Sequence, residues 1–321
     1  MLNKRRFLAA ALGASALAAS GVAFAAEKAP DEVRIGFQKA SVSIVARQSG
    51  AIERRLKELG VQNVKWVEFQ FGPPLLEALG AGAIDFGAVG DTPPVFAQAA
   101  GAKVVYAAVS PASKHAILVK SDSPIKSVAD LKGKRVGIPK GSSAHNLTVQ
   151  ALAANGLKFT DIQPVYLSPS DGVAAFGRGS IDAFAVWDPF FALVELKQGG
   201  RPVAGLEKLP PTNAFYLANR DFAEKHPQQL QAALEEIGKI TDWAGANRQA
   251  VAEASQKATG IDVDGNRRAI DRAEYSLRPL TDVEVKQQQK VADAFFELGL
   301  IPRQITISDA VWTPPQQKAG R

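Results

Sequence analysis

Sulfur is almost missing from this chain. Its 321 residues contain no cysteine, and the one methionine is Met1. On ordinary usage a chain of this size carries roughly ten sulfur-bearing residues. Without cysteine there can be no disulfide, no zinc–thiolate site and no thiol nucleophile. The missing methionine leaves two readings open: avoidance of oxidation, or synthesis under conditions in which sulfur is scarce. Histidine is nearly as rare, and no two of His115, His145 and His226 have the helical or turn spacing of a shared metal site. No metal and no cofactor is therefore expected. No arginine-rich block or basic helix follows residue 26, which argues against a nucleic-acid partner. Nor does any later segment reach about 18 uncharged apolar residues, the length needed to span a bilayer.

What is present begins with an address. Lys4, Arg5 and Arg6 precede an alanine-rich apolar run from Phe7 to Ala19, and Ala23-Phe24-Ala25 fits a small-x-small cleavage site. Residues 1–25 thus read as a secretory signal peptide. Export by the general pathway is the default, although Lys4-Arg5-x-Phe7-Leu8 loosely resembles a twin-arginine signal. Without the signal the formal charge of +6 falls by three.

The body of the chain repeats itself. Residues 82–93, GAIDFGAVGDTP, match residues 179–189, GSIDAFAVWDP, at Gly82/Gly179, Ile84/Ile181, Asp85/Asp182, Ala88/Ala185, Val89/Val186 and Asp91/Asp188. Upstream of each, IGFQKAS (35–41) is echoed by VGIPKGS (136–142) through Gly36/Gly137, Lys39/Lys140 and Ser41/Ser142. Short apolar runs alternate with amphipathic stretches from Val33 onward, the pattern of an α/β fold built from βαβ units. Strands are expected at VRIGF, 64–69, DFGAV, 103–109, 115–120, VGI and 213–220. Helices are expected at 43–59, 73–79 and from Pro93 to about Ala100. Beyond His226 the pattern is helical nearly to the end, AEYSLRPL (273–280) included. This order predicts one lobe over 31–113, a second over 114–214, and a return to the first over 215–321 with C-terminal helices. Two crossings, near residues 113 and 214, form a hinge, and the cleft between lobes is the expected binding site.

Four helix starts should face that cleft, after Gln38-Lys39, Gly90-Asp91-Thr92, Gly141-Ser142-Ser143 and Trp187-Asp188. The first N–H groups of a helix lack partners within it, and with the positive end of the helix dipole they attract anions. Thr92 before Pro93 and Asp188 before Pro189 also fit an N-cap followed by proline at the first helical position. Asp91 and Asp188 are therefore open to two roles, capping or meeting a cationic group on a ligand. Ser142 and His145 are conceivable as a nucleophile and base, but no G-x-S-x-G frames them. Trp187, Phe37, Phe190 and Phe215 are candidates for an apolar wall.

The segments IGFQKAS, WVEFQFGPPLLEALGAGAIDFGAVGDTPPVFAQAAGA, SPIKSVADLKGKRVGIPKGSSAHNL, DAFAVWDPF and FYLANR resemble the aliphatic-sulfonate-binding proteins of bacterial sulfonate ABC importers. The resemblance covers nearly all of residues 31–312. It implies a two-lobed type II periplasmic-binding-protein fold, a periplasmic location, a monomer, an aliphatic sulfonate as ligand, and a membrane permease as partner. By motif, Gln38, Gly90, Asp91, Thr92, Ser142, Ser143, Ala144, His145, Trp187 and Asp188 become the ligand-site candidates. Where the family usually has glycine in QKGS this chain has Ala40-Ser41, which weakens the expectation of backbone donors there. A sulfonate scavenger also explains the missing sulfur, since it is needed when cysteine and methionine are costly to make. Relatives of the same fold bind taurine, nitrate or pyrimidines, and a rival of another class is an enzyme of the pyrimidine-synthase type.

Overall fold

The computed structural model describes residues 28–39, 41–206, 209–210 and 212–314. The expected signal peptide lies outside these residues, as do Ala40 and the side chain of Ser41. The chain opens with β1 (Glu32–Phe37), α1 (Ser41–Ser49), α2 (Ala51–Glu58), β2 (Asn63–Glu68), α3 (Gly72–Gly80), β3 (Phe86–Gly90), α4 (Thr92–Ala99) and β4 (Val104–Pro111). It then crosses to β5 (His115–Lys120), β6 (Arg135–Ile138), α5 (Ser143–Ala154), β7 (Gln163–Tyr166), α6 (Pro169–Gly177), β8 (Ala183–Trp187), α7 (Phe190–Gln198) and β9 (Gly200–Pro202). It returns as β10 (Asn213–Asn219) and ends in α8 (Arg220–Lys225), α9 (Pro227–Ala246), α10 (Arg248–Thr259), α11 (Val263–Arg272) and α12 (Asp282–Glu297).

Two five-stranded sheets result, ordered β2-β1-β3-β10-β4 and β7-β6-β8-β5-β9. In each, three strands run parallel and the fourth pairs antiparallel to the third, β10 against β3 and β5 against β8. The two orders are the same pattern twice. Both faces of each sheet are covered, so its central strands are apolar in both registers. Along β8, Ala183 and Ala185 face α5 residues such as Leu147 and Leu152, while Phe184 and Val186 pack with Phe176 of α6 and Val194 of α7. In the first sheet Val33, Ile35 and Phe86 pack beneath Ile52 of α2 and Leu230 of α9, and the other face buries Leu75, Val89 and Phe215 with Phe295 of α12.

The sequence repeat has a structural cause. A Cβ on Gly36 would come within 2.3 Å of Ile84 Cδ1, and one on Gly137 within 2.6 Å of Ile181 Cδ1. The matched isoleucines therefore occupy space that only glycine leaves on the facing strand. Gly82 and Gly179 both adopt left-handed backbone, at φ of 70° and 71°, which glycine alone reaches without strain. Asp85 accepts from the backbone N–H of Arg34 at 2.6 Å and pairs with its guanidinium at 2.6 Å. Asp182 does the same for Arg135, at 2.8 Å in both contacts. Each aspartate thus ties the loop before the third strand of its sheet, β3 or β8, to the neighbouring strand, β1 or β6.

Two expectations are corrected. The helix over 43–59 is two helices, because Gly50 between α1 and α2 stands at φ 63°, where helical hydrogen bonding stops. AEYSLRPL is not helical: after Arg272 the chain runs without helix to Asp282, and Arg278 bridges antiparallel to Val109 of β4. Its apolar residues alternate, and Tyr275 and Leu277 pack on the first sheet's core.

Candidate functional site

At the end of β3 the chain reaches Gly90-Asp91-Thr92, and at the end of β8 it reaches Trp187-Asp188-Pro189, the matched loops of the repeat. Their aspartates differ in use. Asp91 is 3% exposed; its Oδ1 accepts from Thr92 Oγ1 at 2.8 Å and its Oδ2 from Asn146 Nδ2 of α5 at 2.7 Å. Ser143 adds a further hydrogen bond, and burial, the largest influence, pushes the carboxyl pKa up. Asp91 is thus a strut between the two sheets' flanking helices. Thr92 is not the cap expected of it: α4 starts at Thr92 itself, and its hydroxyl is donated to Asp91.

Asp188 is likewise buried, yet it faces the cleft. Pro189 follows a cis peptide bond and precedes the helix, so proline at the first position of α7 is not what the structure has. The carboxylate still serves that helix, since Oδ1 accepts from the Ala192 N–H at 3.0 Å. The same oxygen accepts from Arg272 Nη2 of α11 at 2.8 Å. Burial raises its pKa to about 6, against the opposing pull of Arg272.

Between the sheets lies a cleft of about 310 Å³, lined among others by Gln38, Gly90, Ser142, Ser143, Trp187 and Asp188. Six of the ten residues expected at the site are thus brought together. Ser142 Oγ donates to Pro139 O at 2.6 Å, leaving the start of α5 at Ser143 without a side-chain cap. By helical geometry the first N–H groups there have no carbonyl within the helix to bond. A Cβ at Gly90 would fall 1.8 Å from Ser143 Oγ, so glycine is what lets the α5 start approach β3. Gln38 Nε2 donates to Ala88 O at 2.9 Å. Trp187, Phe190, Phe69 and Pro93 supply the apolar wall; at the rim Lys39 pairs with Glu68 at 3.3 Å.

Asp91, Thr92, Ala144 and His145 do not line the cleft. His145 is fully buried behind it, its ring 5.0 Å from that of Phe159 and 5.3 Å from that of Phe295. Nδ1 accepts from the Gly141 N–H at 3.2 Å, and burial lowers its pKa to about 4. Ser142 and His145 are each bonded elsewhere, so they do not form a nucleophile pair. Phe37 and Phe215 also belong to the interior, edge-on to Trp66 and Tyr106 respectively.

The sequence reading missed His115, which lines the cleft from β5 opposite Trp187 of β8, their rings 6.2 Å apart. Burial lowers its pKa to about 4 against a hydrogen bond to the Ser113 backbone, with a smaller push from Lys114, so it presents a neutral imidazole at pH 7. Nor did the sequence reading place at the cleft the start of α3 at Gly72, a helix it expected, or that of α6 at Pro169. Proline in the first turn marks both and was the available signal. Among the described residues no group of three or more histidines or carboxylates is placed to hold a metal, and no helix is long and apolar enough to cross a membrane.

Residues 26–258 match the NMT1-like family. A protein of Escherichia coli (strain K12), named as an aliphatic-sulfonates-binding protein, is 42% identical over 307 residues, which cover 94% of this chain and 95% of the relative. The alkanesulfonate-binding protein SsuA of Xanthomonas axonopodis pv. citri, solved bound to MOPS, superposes with a TM-score of 0.83 at 39% identity, covering 88% of this chain and 98% of that one. The aliphatic sulphonate-binding protein SsuA of Escherichia coli gives a TM-score of 0.81 at 41% identity, covering 89% and 93%. Duplicated sheets, a cleft ringed by helix starts, and likeness along almost the whole length agree: the chain belongs to the NMT1-like family and, within it, to the periplasmic aliphatic-sulfonate-binding proteins, with their type II binding-protein fold.

Proposed function

We propose that this protein captures aliphatic sulfonates in the periplasm and delivers them to the membrane permease of an ABC importer for sulfur acquisition. The observation that carries the reading is the pairing, in one cleft, of an uncapped helix start at Ser143 with an aromatic wall at Trp187 and Phe190. An alkanesulfonate spreads one negative charge over three oxygens on a tetrahedral head and ends in an apolar tail, which matches both halves. Sulfate and phosphate cost more to strip of water and place a polar oxygen where the tail should lie. Binding without turnover agrees with the side chains of Ser142 and His145 being bonded to Pro139 and Gly141 and not to each other. The protein works as a monomer, its lobes closing on ligand about the two crossings.

Titration calorimetry tests this directly. Each buried CH₂ contributes about 0.8 kcal/mol, so affinity should rise about tenfold or more from methanesulfonate to butanesulfonate. Nitrate and sulfate should bind weakly beside them. Failure of every sulfonate to bind, or turnover of one on incubation, would sink the proposal.

A further inference from the structure

Behind Asp188 the cleft continues into a small side chamber of about 40 Å³, bounded by Asp188, Ser255, Thr259, Asn266 and Ile270. Lys39, Ser113, Asp188 and Pro189 border both spaces, so the two are contiguous. About 10–15 Å³ holds one water, so the chamber accommodates a terminal group of a ligand and no more. Two side-chain atoms on residues that bound it are buried and bonded to nothing in the protein: Asp188 Oδ2, on a residue 6% exposed, and Ser255 Oγ, on one 3% exposed. A buried polar atom without a partner costs free energy, and a hydrogen-bonding group that reached either atom would offset that cost.

Its charge says which kind. Asp188 Oδ1 is held by Arg272 at 2.8 Å, and Glu195 by Arg272 at 2.7 Å and Arg268 at 3.1 Å. Two carboxylates face two guanidiniums, and Lys39 at the rim is matched by Glu68. An ammonium placed here would add an unbalanced positive charge next to Arg272. A neutral donor satisfies Asp188 Oδ2 without doing so. We propose that the chamber between Asp188 and Ser255 is a tail subsite that takes the hydroxyl of an ω-hydroxyalkanesulfonate, the hydroxyl donating to Asp188 Oδ2 and accepting from Ser255 Oγ. This rests on the sulfonate reading above and names the tail that the site prefers.

Calorimetry on isosteric pairs separates the two. Hydroxyalkanesulfonates of two, three and four carbons are each compared with the alkanesulfonate one carbon longer, and with the aminoalkanesulfonate of equal carbon number. A hydrogen bond to a charged group is worth about 1.5 to 3 kcal/mol, so at the length that reaches the chamber the hydroxyl compound should bind at least about tenfold tighter than its methyl isostere. Ser255→Ala should cut that advantage several-fold, and serine to alanine removes one atom from a helix without disturbing it. Methyl compounds binding as tightly as the hydroxyl compounds at every length would overturn the subsite while leaving the sulfonate reading intact. Amines binding tightest would overturn the neutral-donor assignment. If no member of any series binds, the sulfonate reading itself falls. The comparison among ligands uses the unaltered protein, so it does not depend on the variant folding.

Discussion

At the start of α5, Ser143 lines the cleft and carries two different donors. Its N–H belongs to the first turn, and its hydroxyl bonds Asp91. The two roles separate under substitution. Ser143→Pro deletes the N–H, whereas Ser143→Ala keeps it and loses only the hydroxyl. If backbone donors hold the sulfonate, proline should weaken binding by roughly ten- to a hundredfold, the worth of one charge-assisted bond. Alanine should cost clearly less in the same titration. Equal losses in two folded variants would show that the N–H is not the donor. Proline is tolerated at a first helical position, so this helix itself should survive.

Among the elements, each sheet carries the same buttress in a different setting. Arg34–Asp85 ties β1 to the approach to β3, and Arg135–Asp182 ties β6 to the approach to β8. The Asp85 side chain is 7% exposed and that of Asp182 32%. Stripping one partner from a buried pair leaves a desolvated charge, at about 3 to 5 kcal/mol, whereas exposed pairs are worth about 0 to 1. Asp85→Ala should therefore lower stability to denaturant several-fold more than Asp182→Ala. Matched losses would mean that burial does not distinguish the two buttresses. The aspartates were visible in the sequence as repeated letters. Their arginine partners lie 51 and 47 positions away, and only the sheet order brings them within reach.

For the whole molecule, one side of the cleft is fixed and the other is latched. On the fixed side α5 belongs to the second sheet, yet Asn146 bonds Asp91, Val149 lies in the first sheet's core, and His145 packs on Phe295 of α12. On the latched side, Arg272 of α11 spans Asp188 and Glu195, its guanidinium 3.9 Å above the Phe191 ring. Closure about the crossings releases or repacks this latch and should reduce the radius of gyration on adding sulfonate, as read by small-angle scattering. An unchanged radius at saturation would count against hinge closure. The fixed side also carries a pH dependence. His145 stays neutral in the fold, its pKa lowered from 6.5 to about 4. Its contribution is present above pH 6.5, where neither state is protonated, and is lost as pH falls toward 4, because only the unfolded chain takes up the proton. The loss approaches about 3 kcal/mol. Asp188 runs the other way: with its pKa raised from 3.8 to about 6, it adds stability as pH falls through that window. Comparing unfolding free energies at pH 7 and pH 4.5 in the native protein and in His145→Gln isolates the histidine. The variant should show the smaller acid loss.

The repeat, most of the strands and the resemblance to a sulfonate-binding family were legible in the sequence, because each rests on local pattern. Glycine beside isoleucine, proline in a first turn and alternating apolar letters act within a few residues of themselves. The fate of the paired aspartates was not legible. Asp91 and Asp188 occupy the same position of the same motif, and what separates them is Asn146 from α5 in one case and Arg272 from α11 in the other. His145 sits beside Ser142 in the chain, yet its ring turns to Phe159 and Phe295 behind the cleft. His115 reads as the first letter of an apolar strand, but the antiparallel register of β5 against β8 sets it beside Trp187 at the cleft. A side chain's local role is written in its neighbours along the chain; whether it meets ligand, partner or core depends on residues that only the packed tertiary structure brings within bonding distance.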